Sequence, residues 1–182
     1  MRTIVIGLGN PILGDDGVGW KVAQAVLQRN ETESRFSLLQ PAGCKEMHHP
    51  CPVEVECVSL GGLSLMERLI GYDRAILIDA MQTGQRPVGT VHVCTLEDLP
   101  NPSAGHSTSA HDTSLMTALE IGRRMGLHLP SQIDVVAIEA EQVYNFSEDL
   151  SPPVAAAIPQ ACQAVLNLLK SIYDPLEHKE SA

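Results

Sequence analysis

The sequence predicts a three-layer α/β sandwich, in which helices cover both faces of a mostly parallel β-sheet. Short apolar runs of strand length alternate along the chain with segments whose apolar residues recur at helical spacing. The run at 74–79, RAILID, contains four consecutive apolar residues, as strands buried on both faces usually do. This alternation indicates parallel strands that are joined by covering helices.

The first half of the chain contains two clear strands and two helices. Residues 2–8 are an apolar strand, and the helix predicted over 16–28 carries its valines, alanine and leucine on one face. Residues 53–60 alternate in part and predict a second strand, after which Gly61-Gly62 opens a short helix. Between these elements, residues 36–39 form a candidate short strand within an irregular segment.

The second half adds three strands and two helices. Residues 74–79 and 133–140 are apolar strands, whereas 90–96 alternates and is expected to be half exposed or at an edge. A helix follows the long loop at 100–111 and ends near residue 125. The last helix begins at Ser151-Pro152, because serine favours the N-cap and proline the first helical position.

Composition limits the kind of protein this is. The chain has 182 residues, of which 44% are apolar, enough for one α/β domain over residues 1–173, followed by a polar and frayed tail over 174–182. A net charge of −10 without a basic cluster argues against nucleic acid as a partner, and no apolar run reaches the ~20 residues of a membrane span. Five cysteines and no signal peptide suit the reducing cytoplasm, and the size is compatible with a monomer.

The loop after the first strand, GLGNPILGDDGVG at 7–19, resembles a phosphate-binding loop but lacks its essential parts. The third glycine of a dinucleotide fingerprint is replaced by Ile12, and no Gly-Lys-Ser/Thr follows as in a P-loop. Asp15 and Asp16 lie where a phosphate would have to lie, and two anions would repel it. The loop is therefore expected to present carboxylates.

Three polar residues occupy equivalent places in this architecture. Asp16 follows the first strand, Asp79 closes the run at 75–78, and His111 lies where the long loop enters a helix. Ligand sites of open α/β sheets lie at the carboxyl edge of the strands, so the three side chains can converge there. Each also has an ordinary structural interpretation. Either acid of the Asp15-Asp16 pair or Asp79 could simply cap a helix or a turn, and a lone histidine at a helix start is more often structural than a ligand. An O,O,N ligand set suits nickel or zinc and leaves coordination positions open.

The order and spacing of several motifs resemble the hydrogenase maturation endopeptidases. The motifs are GLGN at 7–10, DDGVG at 15–19, IDA at 78–80, HDTSL at 111–115 and the late helix start LSP at 150–152. The resemblance implies a twisted sheet of about five strands and a nickel-contacting set of Asp16, Asp79 and His111. It also implies that Gly61 and Gly62 lie near the substrate cleft. Some members of the family carry glutamate at the place of Asp16.

The same resemblance implies a reaction. Such an enzyme removes the C-terminal extension of a nickel–iron hydrogenase large-subunit precursor, and the nickel arrives bound to that precursor. Asp16, Asp79 and His111 act in catalysis through recognition of this metal, and the attacking group is a metal-polarised water or a water activated by one of the two aspartates. Two alternatives stay open: a non-catalytic nickel chaperone, and a peptidyl-tRNA hydrolase, whose GLGNP start is similar but which needs a basic face.

One cysteine- and histidine-rich segment falls outside these motifs. Residues 44–57 read CKEMHHPCPVEVEC, and His48, His49, Cys51 and Cys57 could form a second metal site. The spacing matches no standard structural-zinc pattern, and scattered cytosolic thiols are the commoner outcome. The segment could instead be a surface insertion that contacts the substrate.

Overall fold

The structure is a computed structural model that describes residues 1–32, 39–41, 53–99 and 110–173. It confirms the α/β sandwich with a mostly parallel sheet. The helices and strands are β1 (Thr3–Leu8), α1 (Val18–Thr32), β2 (Leu39–Pro41), β3 (Val53–Val58), α2 (Gly62–Arg68), β4 (Arg74–Met81), β5 (Val91–Thr95), α3 (Ala110–Arg124), β6 (Gln132–Glu139) and α4 (Pro152–Tyr173).

Within the described residues the sheet has six strands in the order β2-β3-β1-β4-β6-β5, where about five were expected. The edge strand β2 is only three residues long and ends in proline, so its sequence signal is weak. It begins at the last residue of the candidate short strand at 36–39, of which residues 36–38 lie outside the described part of the chain. The pairs from β2 through β6 are all parallel, and only β5 runs antiparallel, against β6. The partly exposed edge strand predicted at 90–96 is thus confirmed as β5.

Two apolar cores lie on opposite faces of the sheet. The first contains buried residues of α1 and α4, such as Val22 and Val165, against Val5 and Ile76 of the sheet. The second contains Leu65 of α2 and residues of α3 against the other side of β1, β4 and β6. No helix in the described part of the chain is long and apolar enough to cross a membrane. The tail predicted over 174–182 lies outside the described residues.

Glycines bring α1 into direct contact with the ends of two strands. A Cβ on Gly19 would lie 2.3 Å from the carbonyl oxygen of Leu8 in β1 and 2.4 Å from that of Ile78 in β4. A Cβ on Gly7 would in turn lie 2.4 Å from the carbonyl oxygen of Gly19. Because neither glycine has a side chain, the helix can begin directly above the strand ends.

The two acids of the glycine loop precede α1 instead of lying in its first turn. They belong to a short 3₁₀ turn over Gly14–Gly17, and α1 begins at Val18. Gly14, the first residue of this turn, has a positive φ of 55°, a conformation that favours glycine. The predicted helix start is therefore two residues too early, although the loop lies at the expected edge of the sheet.

Candidate functional site

A cleft of about 250 Å³ opens at the carboxyl edge of the parallel strands. It lies where β1, β3 and β4 end, which is where ligands bind in sheets of this kind. The residues that line it come from these strand ends and from the loops that follow them: Leu8, Gly9, Asn10, Leu13, Asp16, Ser59, Leu60, Asp79 and Ala80. Two of the predicted site residues, Asp16 and Asp79, are therefore in the same cleft.

The glycine loop positions Asp16. Its carboxylate is partly buried and accepts the backbone N–H of Asn10 at 2.6 Å through Oδ2. Gly9 permits this fold of the loop, because its φ is +113° and a Cβ there would lie 1.7 Å from the carbonyl oxygen of Asp16. The sharp turn off β1 thus places the Asp16 carboxylate over the cleft and fixes one of its oxygens.

Strand β4 positions Asp79 from the neighbouring strand end. Its partly buried carboxylate accepts the N–H of Ala80 at 2.9 Å. Leu77, two residues earlier, is buried in the core beneath α2 and α3, so Asp79 lies on that face of the sheet. Asp79 therefore follows the buried apolar residues on this face of β4 and places a carboxylate at the edge of the sheet.

His111 lies in the first turn of α3, as its sequence position predicted. Helix α3 leads into β6, which is parallel to β4, so its first turn lies toward the same carboxyl edge as Asp16 and Asp79. Leu115, one turn further along α3, is buried in the core on the face that Asp79 shares. The His111 side chain is outside the described part of the chain, and its role as a ligand stays a prediction.

Asp15 has a structural task that the sequence could not distinguish from that of Asp16. Its side chain is 0% exposed. Oδ1 accepts the N–H of Ser151 at 2.7 Å, and Oδ2 accepts the hydroxyl of Ser151 at 3.0 Å and the N–H of Gln142 at 3.1 Å. Asp15 therefore joins the glycine loop to the start of α4, where a carboxylate is also favoured by the helix dipole.

Ser59 is a cleft residue that sequence analysis missed. It follows β3 directly and donates its hydroxyl to the carbonyl oxygen of Gly9 at 2.7 Å, which ties two of the loops around the cleft together. The available signal was its position just after a strand at the same sheet edge. Gly61 and Gly62 follow the lining residue Leu60 and begin α2, but they do not themselves line the cleft.

The proposed second metal site falls almost entirely outside the described residues, which include only Cys57 of its four candidates. Cys57 is half-buried, and its Sγ lies 3.8 Å from the carbonyl oxygen of Trp20 in α1. Burial raises the pKa of this thiol, and the neighbouring Glu56 raises it further. In the absence of a metal the Cys57 thiol is therefore held in its protonated form, and the second metal site stays a prediction.

Comparison with known proteins relates the chain to one family. The model of the HycI family, described as hydrogenase maturation protease, matches residues 44–168. The hydrogenase 2 maturation protease of Escherichia coli strain K12 is 26% identical over 170 residues, which cover 93% of this chain and 92% of that protein. The hydrogenase expression/formation protein HupD of Rhizobium leguminosarum bv. viciae is 25% identical over 93% of this chain and 75% of HupD. The structure of the hydrogenase maturating endopeptidase HybD from Escherichia coli matches with a TM-score of 0.71 at 24% identity, over 94% of each chain.

Proposed function

This chain belongs to the hydrogenase maturation protease family, and from that premise we propose that it removes the C-terminal extension of a nickel–iron hydrogenase large-subunit precursor. In this proposal the precursor is cut after nickel has been inserted, and the nickel is part of the substrate. Asp16, Asp79 and His111 recognise it. The observation that carries the proposal is that Asp16 and Asp79 line one cleft, at the edge of the sheet toward which the first turn of α3 also lies.

The chemistry of these side chains fits a substrate that carries a divalent cation. Two carboxylates and an imidazole are hard-to-borderline donors of the kind that bind nickel or zinc. A backbone N–H group donates to each carboxylate, at 2.6 Å for Asp16 and 2.9 Å for Asp79. Because these bonds already orient the two side chains, binding of the cation would cost little side-chain entropy. A cation next to the two aspartates would stabilise their ionised forms.

The same carboxylates supply a route for hydrolysis. The attacking nucleophile in this proposal is a water molecule, activated by the precursor's nickel or by Asp16 or Asp79 as general base. Among the described residues that line the cleft, Ser59 carries the hydroxyl, but its proton is donated to the carbonyl oxygen of Gly9. A serine nucleophile needs a base that takes this proton, and a backbone carbonyl is not such a base.

The deciding experiment is intact-mass analysis of a cognate, nickel-loaded precursor after incubation with this protein. We expect loss of a short C-terminal peptide with the wild type, and a rate reduced about 100-fold or more with Asp16→Asn, which preserves shape but removes the charge. Asp16→Glu is the matched control, because it retains the carboxylate and other members of the family carry glutamate there. A nickel-free precursor should stay uncut.

Two outcomes would contradict the proposal. Cleavage by Asp16→Asn at the wild-type rate would exclude the proposed site. A verified nickel-loaded precursor that the wild type leaves intact would exclude the peptidase function, and tight binding of free nickel by the protein alone would then support the nickel chaperone. The family assignment already decides against the peptidyl-tRNA hydrolase interpretation.

A further inference from the structure

Three apolar side chains project into solvent beside the cleft. Tyr144 is 83% exposed and Phe146 is 85% exposed, the highest values among the large hydrophobic residues of the described chain, and Ile12 is 40% exposed. The whole sequence contains only two phenylalanines and three tyrosines, so two of its five Phe and Tyr residues lie on this one loop. We call Ile12, Tyr144 and Phe146 the apolar knob.

The knob is joined directly to the loop that forms the cleft. The N–H of Ser147, next to Phe146, donates to the carbonyl oxygen of Ile12 at 3.1 Å, and the N–H of Gly14 donates to the carbonyl oxygen of Ser147 at 2.7 Å. Leu13, which these two bonds flank, lines the cleft together with Asp16. A protein seated on the knob would therefore extend over the cleft.

The loop that carries the two aromatic residues is firmly held. Val143, directly before Tyr144, is only 9% exposed and belongs to the core beneath α1 and α4. The buried carboxylate of Asp15 accepts the N–H of Gln142 and that of Ser151, one on each side of the knob residues. Tyr144 and Phe146 are therefore exposed on a loop whose two ends are held by hydrogen bonds, so binding of a partner would cost little conformational entropy in this loop.

Acidic residues flank the two aromatic residues of the knob along the chain. Glu141 precedes the two aromatics, Glu148 and Asp149 follow them, and all three are exposed. An apolar surface with a charged rim is the usual composition of a protein–protein interface, in which aromatic side chains at the centre supply most of the binding energy. The rim is complementary to a partner whose contact surface is apolar at its centre and basic around it.

We propose that the apolar knob is the docking surface for the folded body of the precursor, separate from the groups that recognise its metal. This inference rests on the proposed function, which supplies the protein substrate. Recognition of the substrate then has two parts. The knob binds the body of the precursor by apolar contact, and the cleft beside it receives the metal and the scissile bond.

The test is the equilibrium dissociation constant for the nickel-free precursor, measured by titration calorimetry with the full chain. The nickel-free precursor isolates docking from metal recognition and from cleavage. We expect the double variant Tyr144→Ala/Phe146→Ala to raise the dissociation constant about tenfold or more. Met125→Ala is the matched control, because Met125 is 70% exposed but lies just after α3 at the opposite edge of the sheet, and it should leave the constant unchanged. Higher salt should weaken wild-type binding through the acidic rim.

Three other results would overturn the docking of the precursor on the knob, and a fourth would overturn only the proposed function. A double variant that binds like Met125→Ala, or a wild type that does not bind the nickel-free precursor, would show that the knob contributes no independent affinity. A wild-type dimer that the double variant converts to monomer would show that a second copy of this chain occupies the knob. Wild-type protein that binds the precursor through the knob but never cuts the nickel-loaded form would overturn only the proposed function.

Discussion

At the scale of single residues, two adjacent aspartates with identical chemistry have different surroundings. Asp15 is 0% exposed, and both of its carboxylate oxygens accept hydrogen bonds from Gln142 and Ser151, which lie 127 and 136 positions further along the chain. Asp16 lines the cleft. Local sequence predicts that one of the two has a capping role, but the choice depends on these distant contacts. The helix that Asp15 contacts is α4, far along the chain, and not the α1 that follows it.

Replacing Asp15 should therefore affect stability more than any exposed aspartate does. Asp15→Ala removes the acceptor of three partly buried hydrogen bonds, from the N–H of Gln142 and from the N–H and hydroxyl of Ser151, and we expect a loss of about 3 kcal/mol in the free energy of unfolding. Urea denaturation followed by circular dichroism measures it. Asp149→Ala, at an exposed position on the neighbouring loop, should change the unfolding free energy by less than about 0.5 kcal/mol. Equal effects of the two variants would contradict a structural role for Asp15.

Ser59 allows a test of the nucleophile at the same scale. Ser59→Ala removes one hydrogen bond to the carbonyl oxygen of Gly9, so we expect about 1 kcal/mol less stability and cleavage of the nickel-loaded precursor within about threefold of the wild-type rate. Intact-mass time courses at saturating precursor measure the rate. Complete loss of cleavage in a folded Ser59→Ala variant would mean that the hydroxyl, and not water, attacks the peptide bond.

At the scale of helices and strands, the sequence predicted the elements whose patterns lie within a few consecutive residues. The apolar runs of β1, β4 and β6 and the serine–proline start of α4 are visible in a few consecutive residues, and their positions agree with the structure. The start of α1 was misplaced, because the 3₁₀ turn over Gly14–Gly17 depends on backbone contacts with residues near 142 and 147. Elements defined by distant partners are those that sequence patterns locate poorly.

The seating of α1 on the sheet gives a prediction for this scale. Gly19→Ala would place a Cβ within 2.4 Å of the backbone oxygens of both Leu8 and Ile78. Both oxygens belong to buried strands, which cannot move aside without disturbing the core. We expect a loss of about 3 kcal/mol of unfolding free energy and slower cleavage, because the Asp16 turn moves with the helix. Urea denaturation and the precursor assay measure the two effects.

Gly84→Ala is the matched control for this substitution. Gly84 has a φ of +65° but no atom within 4 Å of the added Cβ, so the cost should be only that of backbone strain, about 1 kcal/mol. A Gly19→Ala variant no less stable than Gly84→Ala would show that α1 is not held against β1 and β4 by this close approach.

At the scale of the whole molecule, the two edges of the sheet differ in their polar contacts. The carboxyl edge carries the cleft and the apolar knob. The amino edge carries ion pairs, such as Arg2 with Glu54 at 2.7 Å, with the Arg2 guanidinium 4.6 Å from the centre of the Tyr72 ring. The edge of the sheet at which the cleft lies followed from the fold class alone. The exposure of Tyr144 and Phe146 did not, because aromatic residues in a sequence are ordinarily expected in the core.

Asp73 at the amino edge makes this division testable through pH. It accepts the N–H of Arg2 at 2.6 Å and pairs with His128 at 2.9 Å. The Arg2 backbone hydrogen bond is the main cause that lowers the pKa of Asp73. A carboxyl with a lowered pKa in the folded state contributes stability above its unfolded pKa of about 3.9, and this contribution is lost as the pH falls through the folded value. Asp73→Asn should therefore be less stable than the wild type at pH 6, and the difference should shrink below pH 4, as urea denaturation at both pH values would show.

Cleavage of the precursor by Asp73→Asn at pH 7 should match the wild-type rate, since Asp73 lies at the edge of the sheet opposite the cleft. Slower cleavage by the folded variant would mean that the two edges are coupled.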